Sequence, residues 1–203
     1  MSAFRFLPMV AAVAVVASPA PAQMKIGGLG FQLIKAVKDN DLGVFGDITR
    51  QNGANLNSAV LDYESDGETA LLAAVRLNRR SFVNDLLYFG ASPNKVGGAG
   101  DTPLTLAITV RNSDLVELLL KGGAQPDFAN RRGETPLIKA VQVGDVGLVQ
   151  LLLQKGANPD KTDFTGRSAR RYAEVDTRNP AIGRAIAAAP KATARPVAGP
   201  RLN

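Results

Sequence analysis

Apolar residues recur along the chain in short blocks with helical spacing. In the stretch FVNDLLYF, which starts at Phe82, they fall at positions i, i+1, i+4 and i+5, and two later stretches repeat this spacing. Because an α-helix has 3.6 residues per turn, side chains spaced in this way lie on one face. The pattern predicts three amphipathic helices that bury Phe82, Val83, Leu86 and Leu87, then Leu115, Val116, Leu119 and Leu120, and then Leu148, Val149, Leu152 and Leu153.

A shorter helix is predicted before each of these blocks. Thr102 and Thr135 each precede a proline. A threonine hydroxyl accepts a bond from a free N–H at a helix start, and a proline in the first helical position has no N–H to leave unpaired. Asn78 and Gly144 suit the left-handed residue that closes the short helix. The second helix of each unit ends at a glycine that a proline follows three residues later, namely Gly90, Gly123 and Gly156.

This pattern has a period of 33 residues, marked by Gly67, Gly100, Gly133 and Gly166. A single unit has about six large apolar side chains, worth roughly 1.5 to 3 kcal/mol each when buried. Ordering its backbone costs roughly 1 to 2 kcal/mol for every residue. A unit is therefore unstable alone, and the sequence predicts a stack in which small residues let helices approach closely. These small residues are Ala74, Ala107 and Ala140.

The chain resembles the ankyrin repeat family in its period, its Gly-x-Thr-Pro-Leu starts, its Leu-Leu runs and its Gly-Ala-x-x-Asn/Asp endings. The resemblance implies an all-α solenoid of about five stacked helix-turn-helix units with hairpin loops. The expected units are an N-terminal unit at 31–63, complete repeats at 64–96, 97–129 and 130–162, and a C-terminal cap at 163–189.

Two departures from the family pattern stand out. Arg111 replaces the usual glycine, and four extra residues near SAVLDYES are expected to bulge between the first two units. That longer loop is either tolerated drift or a specific contact.

The two ends of the chain lie outside the expected repeat domain. Residues 1–22 combine Arg5, an apolar run at Phe6–Ala17 and small residues at Ala20 and Ala22, the pattern of a secretory signal cleaved near Ala22. A membrane anchor is the alternative, but the run is shorter than the roughly 20 residues that a bilayer requires. We expect residues 23–30 to be a linker and the Pro-rich, basic residues 190–203 to be a disordered tail. These features favour a periplasmic bacterial protein.

Composition argues against catalysis. The chain has no Cys, His or Trp, which removes thiolate nucleophiles, histidine bases and the commonest zinc ligands. We therefore expect no enzyme activity, no cofactor and no metal. Acidic residues recur near the predicted hairpin tips, either as solvated turn residues or as a stacked carboxylate pair that binds a cation or acts as an acid and base. They are Asp66, Glu68, Asp101, Glu134 and Asp163.

The charge does not favour nucleic acid. Of the formal net charge of +6, Arg5 supplies one and three basic tail residues supply three, which leaves +2 for residues 23–189. A cluster of arginines is either a solvated basic end or a dock for an acidic partner surface. The cluster comprises Arg131, Arg132, Arg167, Arg170 and Arg171.

The resemblance also implies where a partner binds, because ankyrin stacks bind other proteins through their hairpin tips and the concave face of the first helices. The positions carried over are Ser65, Asp66, Glu68, Arg76, Leu77, Asp101, Thr109, Val110, Arg131, Arg132, Glu134, Gln142, Val143, Phe164 and Arg167. Phe164 either forms a binding hot spot or folds back onto the cap. We expect a monomeric, non-enzymatic scaffold that binds a protein partner. The alternatives are attachment to the cell envelope through the basic tail, or a small-ligand or enzymatic site in the stack or the longer loop.

Overall fold

The computed structural model describes residues 26–52, 61, 64–176 and 179–190. Within these ranges the chain forms ten helices and one short antiparallel hairpin, in which Glu64 lies opposite Thr69. The elements are α1 (Ile26–Asp39), α2 (Leu42–Asn52), β1 (Glu64–Ser65), β2 (Glu68–Thr69), α3 (Ala70–Arg76), α4 (Arg80–Tyr88), α5 (Pro103–Thr109), α6 (Ser113–Lys121), α7 (Pro136–Val143), α8 (Val146–Gln154), α9 (Ala169–Val175) and α10 (Pro180–Ala188).

The helices form five pairs, and the pairs stack in chain order. The first helices of the pairs (α1, α3, α5, α7 and α9) make a first row in which each packs on the next. The second helices (α2, α4, α6, α8 and α10) make a second row, and each contacts the first helix of its own pair. The predicted all-α solenoid of five helix-turn-helix units is confirmed.

Small side chains lie between the first-row helices, as predicted. Ala74, Ala107 and Ala140 are fully buried. Each second-row block buries its first three predicted positions, but Leu87, Leu120 and Leu153 are only partly buried. The predicted stripe spans an arc of about 140°, since each residue advances by about 100°. The first and fourth positions lie at opposite ends of that arc, and only the first is fully buried, so the burial predicted for the fourth was wrong.

Polar groups begin and end the short helices as the sequence predicted. Thr102 and Thr135 accept hydrogen bonds from the backbone N–H three residues later, and Thr102 forms a capping box with Thr105. Asn78 and Arg111 adopt left-handed φ angles of 56° and 54° at equivalent turns. Arg111 thus takes the backbone conformation that glycine adopts most easily, and its guanidinium donates to the Val143 carbonyl of the next unit.

Neighbouring hairpin tips are joined by backbone hydrogen bonds. The four tip glycines all have positive φ, which an L residue adopts only with strain. The bonds run from Gly98 N to the Gly67 carbonyl (2.6 Å), from Arg131 N to the Gly100 carbonyl (2.8 Å) and from Phe164 N to the Arg132 carbonyl (3.4 Å). The tips therefore follow one another along one edge of the stack.

The beginning of the domain differs from the prediction. Helix α1 begins at Ile26, so residues 26–30 are helical and do not form a linker. Leu29 is buried one turn before Leu33, and burial of this additional leucine favours the longer helix despite the glycines nearby. The predicted signal peptide, residues 191–203 of the predicted tail, and most of the expected bulge near SAVLDYES lie outside the described residues. No helix in the described part of the chain has the length and apolar character needed to cross a membrane.

Gly133→Ala is expected to lower the free energy of unfolding more than Gly166→Ala, the same change one repeat later. Both glycines are left-handed, with φ of 76° and 78°, so each alanine carries strain of roughly 1 to 2 kcal/mol. Only at Gly133 does the new Cβ also meet another group, the Phe164 backbone nitrogen at 2.8 Å; at Gly166 nothing lies within 4 Å. Urea denaturation measures both losses, and equal losses would contradict this difference in packing.

Candidate functional site

An apolar row runs along the ends of the first-row helices. Leu77 and Val110 are 41% and 38% exposed, and Val143, at the same repeat position, is half-buried. Val143 also packs against the core, whereas Leu77 and Val110 are not part of the core cluster. The structure therefore brings these three predicted residues together as one surface feature, the apolar row.

A second set of side chains lies beside the apolar row, one residue earlier in each unit. Arg76 and Thr109 are exposed and Gln142 is half-buried. The equivalent residue of the last unit is Val175, which is 71% exposed. Our sequence reasoning missed Val175, although its position 33 residues after Gln142 was a sufficient signal.

Glu68 and Glu134 were expected to face a partner, and the structure corrects this expectation. Their side chains are only 10% and 13% exposed. Each turns back towards the end of its own first-row helix. Glu68 pairs with Lys38 (3.4 Å) and Arg76 (3.0 Å), and Glu134 accepts from Arg132 Nε (2.9 Å) and Gln142 Nε2 (3.2 Å).

Hydrogen bonding also sets the charge state of Glu134. Burial alone would raise the pKa of its carboxyl, but bonds from Asn130, Gln142 and Arg132 outweigh burial and lower the pKa. Both glutamates thus orient neighbouring hydrogen-bond donors.

In the part of the chain that the structure describes, no group of three or more acidic side chains is arranged to hold a metal ion.

The remaining predicted tip residues are accessible. Asp66 and Arg131 are exposed, and Arg132 pairs with Asp101 at 3.4 Å. Phe164 is 82% exposed, and its ring lies against Gly133 of the preceding tip. The aromatic side chain therefore remains at the tip and does not fold back onto the cap.

A buried carboxylate organises the last tip. Asp163 is 6% exposed and accepts hydrogen bonds from the Thr165 hydroxyl (2.6 Å) and the Tyr172 hydroxyl (2.7 Å). Backbone N–H groups of Thr165 and Arg167 donate to it as well. Burial would raise the pKa of Asp163, but these bonds outweigh burial and lower the pKa from 3.8 to about 2.

A groove of about 370 Å³ lies between α7 and α9, next to this carboxylate; we call it the cap groove. Arg167 and Arg171 are its cationic residues, and Asp176 is its acidic one. Val141, Gln142, Tyr172 and Val175 complete its lining. The groove is therefore partly apolar, and one of its lining residues, Gln142, directly precedes Val143, the last residue of the apolar row.

The predicted arginine cluster separates into different environments. Arg170 is half-buried, bonds Asp160 at 2.7 Å and donates to the Ile186 carbonyl at 2.8 Å. It joins the last helix pair to the preceding loop and is not part of a solvated basic end. Arg167 and Arg171 are exposed at the cap groove, whereas Arg131 and Arg132 lie at the hairpin tips.

Asp163→Asn is expected to lower the free energy of unfolding at neutral pH by about 2 kcal/mol. Because the folded-state pKa is below the unfolded value of 3.8, this stabilisation is present above about pH 4 and is lost as the pH falls towards 2. The variant should therefore show a flatter dependence of stability on pH in that window, measured by urea denaturation.

The matched control is Asp114→Asn, at an exposed position in the first turn of α6. It should change the free energy of unfolding by less than about 0.5 kcal/mol. Identical pH profiles for wild type and Asp163→Asn would contradict the assigned role of Asp163.

Comparison with known proteins agrees with this architecture. Residues 71–163 match the family model described as Ankyrin repeats (3 copies). The match covers most of the three complete units, including α3 through α8 apart from the first residue of α3. No curated protein gives a significant match to the chain. Residues 71–163 are therefore ankyrin repeats, and such repeats generally mediate protein–protein interaction.

Proposed function

We propose that this protein is a non-enzymatic scaffold that binds a partner protein along the hairpin tips and the exposed ends of the first-row helices. The observation that carries this proposal is the alignment, at one repeat position, of the apolar side chains of Leu77, Val110 and Val143. Leu77 and Val110 lie outside the core cluster and are exposed, and an aligned apolar strip is typical of a recognition surface.

The tips supply side chains that suit the centre of an interface. Aromatic and arginine residues carry a large share of binding energy in protein interfaces. Phe164 is 82% exposed, and Arg131 and Arg132 lie on the adjacent tip. Backbone bonds between tips fix the positions of these side chains, so little conformational freedom is lost when a partner binds.

The proposed location is the periplasm, because residues 1–22 have the pattern of a secretory signal. A protein in that compartment meets other exported proteins and not nucleic acid, which accords with the small net charge of the repeat domain. We propose that the mature scaffold is a monomer that presents its surface to one partner.

The exported protein, recovered from a bacterial host, is expected to begin at Gln23. Intact-mass measurement of the periplasmic fraction tests this directly. Arginine in place of Ala20 and Ala22 should block cleavage, since signal peptidase requires small residues at these two positions. Recovery of the full-length chain from the cytosol alone would contradict export.

Combined substitution of Arg131→Gln, Arg132→Gln and Phe164→Ala (the tip variant) is expected to reduce capture of the partner from envelope extract by roughly tenfold or more. The Arg132 side chain is 54% exposed, so its ion pairs are weak. The free energy of unfolding should therefore fall by less than about 1 kcal/mol. Quantitative mass spectrometry of captured proteins measures the first effect, and thermal unfolding followed by circular dichroism measures the second.

The matched control removes two guanidinium groups and one aromatic ring from the second row: Arg80→Gln, Arg184→Gln and Tyr88→Ala. All three residues are exposed on second-row helices. Partner capture should be unchanged in this control. If the tip variant captures the same proteins as wild type, the proposed surface is wrong.

A further inference from the structure

We propose that the cap groove binds an acidic side chain of an extended peptide segment, with Arg167 as the principal carboxylate ligand. This inference rests on the proposed function and specifies the chemistry of the partner. Arg171 supplies a second cation, and Val175 supplies an apolar contact beside the carboxylate.

The guanidinium of Arg167 is held in place by two contacts. Its Nε donates to the Thr165 hydroxyl at 3.1 Å, and its carbon lies 5.1 Å from the centre of the Tyr172 ring. Within the described residues, no carboxylate lies within ion-pair distance of Arg167. Its terminal amino groups therefore remain as a fixed fork of donors, the geometry that suits a carboxylate.

The partners of Arg167 are fixed in turn by one buried group. Thr165 and Tyr172 both donate their hydroxyls to Asp163, at 2.6 and 2.7 Å. Asp163 also accepts from the backbone N–H of Arg167 itself at 3.1 Å. The orientation of Arg167 is thus determined before any ligand arrives, which reduces the entropy lost on binding.

The charges around the groove favour an anionic occupant. Two arginines and one aspartate line it. Arg171 also contacts Glu174 at 3.1 Å, but both side chains in that pair are more than half exposed. Exposed pairs of this kind are weak, so Arg171 can turn towards a carboxylate in the groove without a large loss.

The apolar surroundings favour a peptide over a small free anion. Val175 lines the groove and is 71% exposed, and Gln142, the residue before Val143, lines it from α7. From Val143 the apolar row continues past the ends of α5 and α3, through Val110 and then Leu77. A segment that follows this row passes through the groove, which places an internal Asp or Glu, and not a chain end, beside Arg167.

A selection from random peptides tests the proposal. The peptides are inserted within a phage coat protein, so that side chains supply the only carboxylates, and are selected on the immobilised full-length protein. The selected sequences should share an Asp or Glu beside an apolar residue. A selection that yields no binder, or binders without an acidic residue, would overturn the proposal.

A double-mutant cycle on one selected peptide then identifies the ligand residue. Arg167→Gln in the protein and Glu→Gln (or Asp→Asn) in the peptide should each weaken binding roughly tenfold, and the two changes together should weaken it little further. Fluorescence anisotropy provides the dissociation constants. Arg184→Gln, a matched change at an exposed second-row position, should leave binding unchanged.

Asp163→Asn tests the positioning role of the buried carboxylate separately from folding. The substitution should weaken binding of the acidic peptide but not binding of a control peptide that carries Gln in place of the acidic residue. Both dissociation constants are measured at a temperature well below the unfolding transition. Equal weakening of both peptides would show a general structural effect and would contradict the positioning role.

The outcomes also separate this inference from the proposed function. If selected peptides bind equally well to wild type and Arg167→Gln but poorly to the tip variant, the groove assignment is wrong and the proposed surface stands. If binding survives both Arg167→Gln and the tip variant, both are wrong.

Discussion

Stacking of the first-row helices is the interaction on which the rest of the structure depends. Each of these helices is only seven or eight residues long in the three complete units, too short to be stable alone in water. Fully buried alanines between them allow close approach, and threonine caps pair the free N–H groups at their starts. A unit therefore acquires its structure from its neighbours, and the register of the stack also fixes the spacing of the tips.

The same constraint divides the surface into residues that serve the fold and residues that remain for recognition. Glu68 and Glu134 follow the tip glycines, and each bonds the end of its own first-row helix. Leu77 and Val110, at the other end of that helix, have no comparable role in packing. The division does not follow polarity, since the charged side chains of Glu68 and Glu134 are only 10% and 13% exposed, whereas the apolar residues Leu77 and Val110 are exposed.

Sequence periodicity predicted the repeating elements because each depends on local chemistry that recurs. The caps at Thr102 and Thr135, the left-handed turn at Asn78 and the buried alanines all follow from neighbours a few residues away. The burial of Glu68 depends on Lys38, which lies in another unit, and no local pattern reports such a pairing. The helical start at Ile26 was missed for a related reason, since tertiary burial of Leu29 outweighs the low helix propensity of the adjacent glycines.

The last unit shows how a stack ends when no further neighbour covers it. In the inner units apolar contact on both sides stabilises each helix pair, whereas here polar contacts supply part of the stability. Arg170 joins the loop at Asp160 to the Ile186 carbonyl, and Asp163 joins the tip to Tyr172 on α9. Arg170 and Arg171 differ by about 100° around the helix, so Arg170 is half-buried in this network and Arg171 faces the groove. The polar contacts that close the stack therefore also hold the groove wall, so a candidate binding site lies at the end of the solenoid.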